Sequence, residues 1–198
     1  MRDAAGRGSF RTTYFRRSMG RTYASSADVA TNVGRQELAI SPNWQASTLV
    51  VGGVAYISGN QPGLTNYFGF PAAAARKAGS QWVSISSSNP GFAPASQAVL
   101  LESVLAYLTP GGHLGETSAT KIGGQSAIGI RGMGPALRAN GAPSALTLFV
   151  STTEAPLPLR AVLSDRQGDY ETVTLGAWGE HLQLKAPSGA IAILTLAH

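Results

Sequence analysis

The sequence predicts an α+β fold in which one strongly curved antiparallel sheet wraps around a central apolar helix. The segment Ser96–Leu108 is the one long stretch whose apolar residues fall at helical spacing. Nearly all of the remaining chain is typical of short β-strands that are joined at glycines. A helix with an apolar stripe needs a partner surface, and a sheet that curls around it is the economical choice.

The stripe of the predicted helix is made of large aliphatic side chains, namely Leu100, Leu101, Val104, Leu105 and Leu108. The last four follow the spacing i, i+3, i+4 and i+7, so they share one face of a helix. Ser96 is a candidate N-cap for this helix. Thr109–Gly112 ends it, because proline cannot continue a helix and glycine accepts the turn that follows.

Six strands and two short helices are predicted before the central helix. The sharpest hairpin signal is the Gly52-Gly53 pair between two β-rich runs. The predicted strands are Ser9–Arg17, Arg21–Val29, Arg35–Ile40, Ala46–Val51, Val54–Ser58 and Trp82–Ser86. The predicted helices are Leu64–Phe70 and Ala72–Ala78, the second of which starts after Pro71.

The second half of the chain predicts a meander of strands. The predicted strands are Gly115–Ile122, Gln125–Arg131, Ala145–Ser151, Leu159–Asp165, Tyr170–Leu175 and Glu180–Lys185. Glycine and proline mark residues 131–143 as a loop. Leu182 and Leu184 alternate with polar residues in the last predicted strand, so one face of the sheet is expected to be buried away from solvent.

Length and composition favour a single domain without cross-links. The chain has 198 residues and no cysteine, which excludes disulfides, thiolate catalysis and zinc–thiolate sites. No stretch reaches the roughly 20 apolar residues of a membrane-spanning helix, and the N-terminus lacks the apolar segment of a secretory signal. The chain as written is therefore expected to be soluble and not exported, although its opening residues also resemble the interior of a longer reading frame.

The positive charge of the chain is concentrated at its N-terminal end. Residues 1–35 contain seven arginines and two aspartates, which accounts for the whole net charge of +5. Such a basic segment can meet phosphates or anionic lipid headgroups. It can equally be the solvated face of a terminal strand.

Residues with catalytic or metal-binding chemistry do not form a known motif. His113, His181 and His198 are far apart, and none belongs to a paired metal-binding motif. Asp165 and Asp169 flank a turn, where aspartate is favoured for conformational reasons. There is no G-x-S-x-G elbow and no phosphate-binding glycine loop. The sequence therefore predicts a non-enzymatic protein that uses no cofactor and no metal.

Large aromatic residues stand in or beside the predicted strands of a chain that is otherwise rich in glycine and alanine. They are Tyr56, Phe68, Trp82, Phe149 and Trp178. In a curved sheet such rings either fill the core or line a concave pocket, and the residues alone leave both interpretations open.

One long run of the sequence resembles a known family. Pro156–Pro187 resembles the closing strands of the actinobacterial lipoproteins of the mycobacterial lipid-carrier type, the LppX- and LprG-like family, and Trp178-Gly179 stands at its aromatic-glycine step. Upstream, three further features follow in the same order as in those lipoproteins: the run Gly52–Asn60, the strand at Trp82 and the leucine-rich helix before TPGG. The resemblance spans roughly residues 9–190.

The resemblance implies a LolA/LppX-like half-barrel over residues 9–198, preceded by residues 1–8 as the remnant of an N-terminal segment. It also implies an apolar cavity for an acyl chain or glycolipid, and a location in the cell envelope or outside the cell. The chain lacks the signal peptide and lipobox cysteine of the anchored members. The residues expected at the cavity are Leu101, Leu105, Leu108, Tyr56, Phe68 and Trp82.

The leading functional expectation is thus a lipid- or glycolipid-binding domain with no specific nucleic-acid partner. Its N-terminal arginines are expected to allow contact with a membrane surface. The first alternative is a structural or interaction domain with a closed core and no ligand. The second is a capsid-like or nucleic-acid-binding β protein that uses the basic N-terminal segment.

Overall fold

The computed structural model describes residues 1–153 and 155–196. Within them the strands form one 13-stranded sheet. All neighbouring strands are antiparallel except for one parallel pair at an edge. The sheet is unclosed and its concave side holds the helices, which confirms the predicted α+β fold class and the half-barrel architecture.

The strands of the sheet, in chain order, have the following bounds: β1 Ser9–Ser18, β2 Arg21–Ala30, β3 Gly34–Ile40, β4 Trp44–Val51, β5 Val54–Gly59, β6 Val83–Ser86, β7 Gly111–Glu116, β8 Thr120–Ile122, β9 Gln125–Gly134, β10 Ser144–Ser151, β11 Pro158–Ser164, β12 Tyr170–Gly176 and β13 Ile191–Ala192. Across the sheet the order is β13-β6-β5-β4-β3-β2-β1-β12-β11-β10-β9-β7, and β8 also pairs with β9.

The helices are short, and they have the following bounds: α1 Arg2–Gly6, α2 Gln61–Asn66, α3 Ala72–Ala78, α4 Phe92–Ser96, α5 Leu101–Tyr107 and a 3₁₀ helix Ile193–Leu196. Among the described residues no helix has both the length and the apolar composition that crossing a bilayer requires. Helix α1 buries Ala4 in the main core. The division of the chain at residue 8 stays a prediction.

The predicted central helix over Ser96–Leu108 is wrong in its first half. Ser96 is the last residue of α4, residues 97–99 form a turn, and α5 begins only at Leu101. Leu100 is extended and forms a parallel bridge with Ala30, whose N–H donates to the Val99 carbonyl oxygen at 3.4 Å. The chain leaves helical geometry because it docks on the end of β2. The cap prediction is wrong as well, since the Ser96 hydroxyl donates to Ala93 inside α4.

Three other predicted elements also differ from the structure. Glu180–Lys185 alternates in burial but forms no strand, since no neighbouring strand is available to pair with it. The strand predicted over Gly115–Ile122 is divided into β7 and β8. The helix predicted over Leu64–Phe70 starts earlier and ends earlier, as α2, because Asn60 caps it by accepting from the Gly63 N–H at 3.0 Å.

The apolar stripe of α5 packs into the main core, as expected for a helix inside a curved sheet. Leu101, Leu105 and Leu108 are buried there against alternate residues of the surrounding strands. On β1 the inward positions carry even numbers, beginning with Phe10, and on β12 they carry odd numbers, ending with Leu175. The pleat of each strand thus decides which side chains face the helices.

The arginines of the first strands lie on both faces of the sheet. Arg11 and Arg35 point outward and both contact the Asp28 carboxylate, at 2.8 and 3.2 Å. Arg16 points inward and lines a cavity. The basic N-terminal segment therefore does not form one continuous charged face.

The turn between α4 and α5 contacts the sheet closely at Gly34 of β3. A Cβ added at Gly34 would lie 2.3 Å from the Val99 carbonyl oxygen. We expect Gly34→Ala to lower the free energy of unfolding by about 1–3 kcal/mol, because the added methyl group meets backbone that cannot rotate away. Urea denaturation measures this change.

Gly115→Ala is the matched control, since its added Cβ would meet nothing within 4 Å. We expect it to change the free energy of unfolding by less than about 0.5 kcal/mol. Equal effects of the two substitutions would contradict the role of the Gly34 contact.

Candidate functional site

A cavity of about 680 Å³ lies between the concave face of the sheet and the helical segment 92–108. Its sheet wall is built from inward positions of four neighbouring strands. These residues are Thr12, Tyr14 and Arg16 of β1, Tyr23 and Ser25 of β2, Gln36 and Leu38 of β3, and Val173 of β12. They share one face because the register places Tyr14 beside Val173 and Ser25.

The opposite wall is formed by the helical segment, with one tyrosine from the loop after α2. These residues are Ala93, Pro94, Gln97, Ala98, Ser103, Val104, Tyr107, Leu108 and Tyr67. Several of them, including Tyr67, Gln97 and Tyr107, are also exposed to solvent. The cavity therefore opens to solvent at these residues.

The aliphatic residues of the cavity come from both walls. They are Leu38 and Val173 on the sheet and Val104 and Leu108 on the helical segment. Along the sheet register Tyr14 and Ser25 lie between Val173 and Leu38, so hydroxyl groups stand among these apolar side chains. The aliphatic part of such a surface gains free energy when it contacts a hydrocarbon in place of water.

A buried carboxylate closes one end of the site. Glu171 of β12 is 0% exposed. Its Oε2 accepts a hydrogen bond from the Tyr107 hydroxyl at 2.9 Å and another from the Tyr14 hydroxyl at 3.3 Å. The hydrogen bond from Tyr107 therefore connects α5 to β12 of the sheet, and Tyr14 of the neighbouring strand β1 is the second donor.

Arg16 is the cross-strand partner of both Glu171 and Tyr23. Its Nη2 donates to the Leu137 carbonyl oxygen, and its guanidinium lies 5.4 Å from the centre of the Tyr23 ring. The Nε of Arg16 and the Oε1 of Glu171 are both buried without a hydrogen-bond partner. This end of the cavity thus keeps hydrogen-bonding capacity that the protein does not use.

The buried groups perturb one another's ionisation. Burial raises the pKa of Glu171 above its ordinary value of 4.5, against the opposing effects of the Tyr107 hydrogen bond and the Arg16 charge. Burial and the Glu171 charge raise the pKa of Tyr14 and of Tyr107, so both phenols stay protonated. Burial acts to lower the pKa of Arg16, but Tyr14 and Glu171 outweigh it, so the net shift is upward.

The predicted site residues divide into three groups. Leu108 lines the cavity, and Phe68 lies beside it, in edge contact with Tyr67 at 5.0 Å between ring centres. Leu101 and Leu105 are buried in the core behind the cavity wall.

Tyr56 and Trp82 are not brought to the cavity. Tyr56 alternates with Ala55 and Ile57, whose side chains are in the core, so it occupies the outer face of β5. Trp82 directly precedes β6, where Val83 takes the inward position.

Sequence reasoning missed the polar residues of the site. One signal was available for Glu171, because it shares the inward side of β12 with Val173 and Leu175. A carboxylate in an otherwise apolar alternation is unusual and needs hydrogen-bond partners. The alternation gives no indication that Tyr107, 64 residues away, is such a partner.

The described residues offer no metal centre. Among them no three His, Asp or Glu side chains come together in a way that could hold a metal ion. His113 and His181 are exposed at separate places, and His198 lies outside the described residues. The cavity presents aliphatic side chains, hydroxyl and amide groups, and one guanidinium.

The buried carboxyl group predicts a specific pH dependence of stability. A carboxyl group whose pKa is higher in the folded than in the unfolded chain binds protons more tightly when folded, so its contribution to stability declines as the pH rises above 4.5. Glu171→Gln removes this titration. As the pH rises above 4.5 the variant should gain stability relative to wild type, because only the wild-type chain loses this contribution.

Thermal unfolding at a series of pH values measures this gain. Glu102→Gln removes an exposed carboxylate from α5 and serves as the control, which should follow the wild-type profile. Parallel profiles of wild type and Glu171→Gln would contradict the assigned role of Glu171.

Comparison with known proteins defines the fold but not a family. No family model matches the chain, and no curated protein sequence matches it. Among solved structures the chain is similar to the lipoprotein LppX of Mycobacterium tuberculosis, with a TM-score of 0.54 and 16% identity over 93% of this chain and 95% of that one.

Two other solved structures resemble the chain less. One is MucB in complex with MucA(peri), with a TM-score of 0.45 and 15% identity over 94% of this chain and 57% of that one. The other is a LolA superfamily protein from Nitrosomonas europaea, with a TM-score of 0.33 and 8% identity over 92% of each chain. The first comparison confirms, at the level of the fold, the likeness that the sequence predicts: this chain has an LppX-like half-barrel fold.

Proposed function

We propose that this chain is a non-enzymatic carrier domain of the cell envelope that binds the acyl chain of a lipid in the cavity between sheet and helices. The observation that carries the proposal is the cavity of about 680 Å³, whose two walls both contribute large aliphatic side chains and whose sheet wall also carries Arg16. The likeness to LppX, a lipoprotein, supports the envelope location.

The size of the cavity suits a small hydrophobic ligand. Sites for small molecules typically enclose about 300–1,000 Å³ and are lined by apolar side chains with a few polar groups. The measured volume lies within that range. A ligand there would be held between two walls, from Leu38 on the sheet to Val104 and Leu108 on the helical segment.

The free energy of binding would come from the removal of methylene groups from water. Each buried methylene contributes about 0.8 kcal/mol, and association costs offset the first several kcal/mol. An acyl chain supplies many identical methylenes, so it can exceed that cost without any specific polar contact. The polar end then orients the ligand: a headgroup faces Arg16 and Tyr107, and the hydrocarbon chain faces Leu38.

The two alternative functions fit the structure less well. A closed core without a ligand does not account for a cavity of this volume between the helical segment and the sheet. A basic arm for nucleic acid requires arginines that are available on one face. Here Arg11 and Arg35 contact Asp28 on the outer face, and Arg16 is turned inward.

A pair of alanine-to-tryptophan substitutions tests the binding site. Ala98 lines the cavity, whereas Ala106 is exposed on α5 and does not line it. Ala98→Trp should fill part of the cavity and weaken the binding of a fluorescent fatty acid by about tenfold or more, which corresponds to about 1.4 kcal/mol. Ala106→Trp adds the same ring to the outside of the helix and should leave the affinity unchanged.

Fluorescence titration of both variants and wild type, without vesicles or detergent, measures these affinities. Thermal unfolding checks that each variant is folded. Failure of the wild type to saturate, or equal affinities for the two variants, would overturn the proposal.

A further inference from the structure

Two hairpin turns lie side by side at one end of the half-barrel. The turn between β1 and β2 and the turn between β11 and β12 are adjacent, because β1 pairs with β12 and Arg17 stands opposite Tyr170. The outward positions next to these turns carry both large apolar and basic side chains. We call the group Phe15, Arg17, Met19, Arg166 and Tyr170 the hairpin tip.

The apolar members of the hairpin tip are unusually exposed. Met19 is 74% exposed, Phe15 is 40% exposed and Tyr170 is 38% exposed. The rings of Phe15 and Tyr170 contact each other with their centres 5.7 Å apart, so they form one continuous apolar patch. Met19 extends beyond this patch at the end of the hairpin.

The conformation of Met19 indicates that its side chain is there for a reason other than the turn. Met19 has φ of 51° and Gly20 has φ of 75°, which places both central residues of the two-residue turn in the left-handed region. Such turns favour asparagine, aspartate or glycine at both positions. A methionine at the first position costs conformational free energy and exposes hydrocarbon to water. Turn geometry alone would select another residue.

The charges around the patch are mainly positive. Arg17 and Arg166 are exposed beside it. The nearby Asp169 carboxylate is buried and neutralised by Arg138 in a two-pronged ion pair, with distances of 2.5 and 2.8 Å. Asp165 is half-buried and accepts hydrogen bonds from backbone N–H groups within its own turn. The outward charge of the hairpin tip is therefore basic.

The polar end of the cavity lies at the same level of the sheet as the hairpin tip. Glu171, which binds the Tyr107 hydroxyl at the cavity rim, immediately follows Tyr170 of the hairpin tip. Arg16, which lines the cavity, immediately precedes Arg17. Alternation of side chains thus places the cavity lining on the inner face of these strands and the hairpin tip on the outer face, at one level of the sheet.

We propose that the hairpin tip docks on an anionic lipid membrane, with Met19 and the Phe15–Tyr170 pair entering the interface and the arginines contacting acidic headgroups. Exposed apolar side chains flanked by basic residues suit the boundary between headgroups and acyl chains. Tyrosine is favoured at that boundary because its ring is apolar and its hydroxyl is polar. The docking does not depend on which ligand the cavity holds.

Sedimentation with lipid vesicles tests this surface. The vesicles are phosphatidylcholine alone, or equal parts of phosphatidylcholine and phosphatidylglycerol. Wild type should bind the anionic vesicles far more strongly, and added salt should weaken that binding because it screens exposed charges. No binding to anionic vesicles, or equal binding to both kinds, would overturn the proposal.

Charge reversal at two places distinguishes binding through the hairpin tip from the general attraction of a basic protein to anionic vesicles. Arg17→Glu with Arg166→Glu should lower the partition coefficient by more than about tenfold, since each arginine near an anionic surface contributes roughly fivefold. Arg2→Glu with Arg7→Glu makes the same change of net charge in and beside α1, at the opposite end of β1, where both arginines are exposed. This control should bind nearly as wild type does. Equal losses in the two double variants would overturn the proposal.

Met19→Asn tests the apolar contribution without weakening the fold. Asparagine is favoured at this turn position, so the melting temperature should stay the same or rise. Vesicle binding should nevertheless fall about tenfold, because the hydrocarbon that enters the interface is lost. Unchanged vesicle binding would contradict the assignment of Met19 to the docking surface. Since the fatty-acid titration uses no vesicles, failure here is distinguishable from failure of the carrier proposal.

Discussion

The contact between Val99 and Gly34 determines how the helical segment lies on the sheet. The absence of a side chain at Gly34 lets the Val99 carbonyl group approach the backbone of β3, and the Ala30 N–H donates to that same oxygen. Near the C-terminal end of the segment 92–108, Tyr107 donates to Glu171. Held near its midpoint and near this end, the segment lies across the concave face and leaves a cavity between itself and the sheet.

The elements that could be predicted are those whose signal is local. The alternation of β1 and β2 and helix α3 depend on neighbouring residues alone, and the structure places each close to its predicted bounds. The break before α5 could not be predicted, because periodicity continues through Leu100 while a distant strand draws that residue into a bridge. Glu180–Lys185 shows the reverse case: it has the alternation of a strand without a partner to pair with.

The candidate site was less predictable than the fold because periodicity says which residues share a face but not which face is concave. Leu108 lines the cavity, whereas Tyr56 belongs to the outer face of β5. The polar end depends on pairs that are far apart in the chain, such as Arg16 with Glu171. Burial leaves the Nε of Arg16 and the Oε1 of Glu171 without hydrogen-bond partners there.

A bound acyl chain in this cavity can be located directly. Crystals of the protein grown with a fatty acid that carries bromine at its terminal carbon would show the position of the chain by anomalous scattering. We expect a bromine peak between Leu38 of β3 and Val104 and Leu108 of the helical segment. A peak that lies only on the outer face of the sheet, or no peak in crystals of a complex whose binding has been measured in solution, would contradict it.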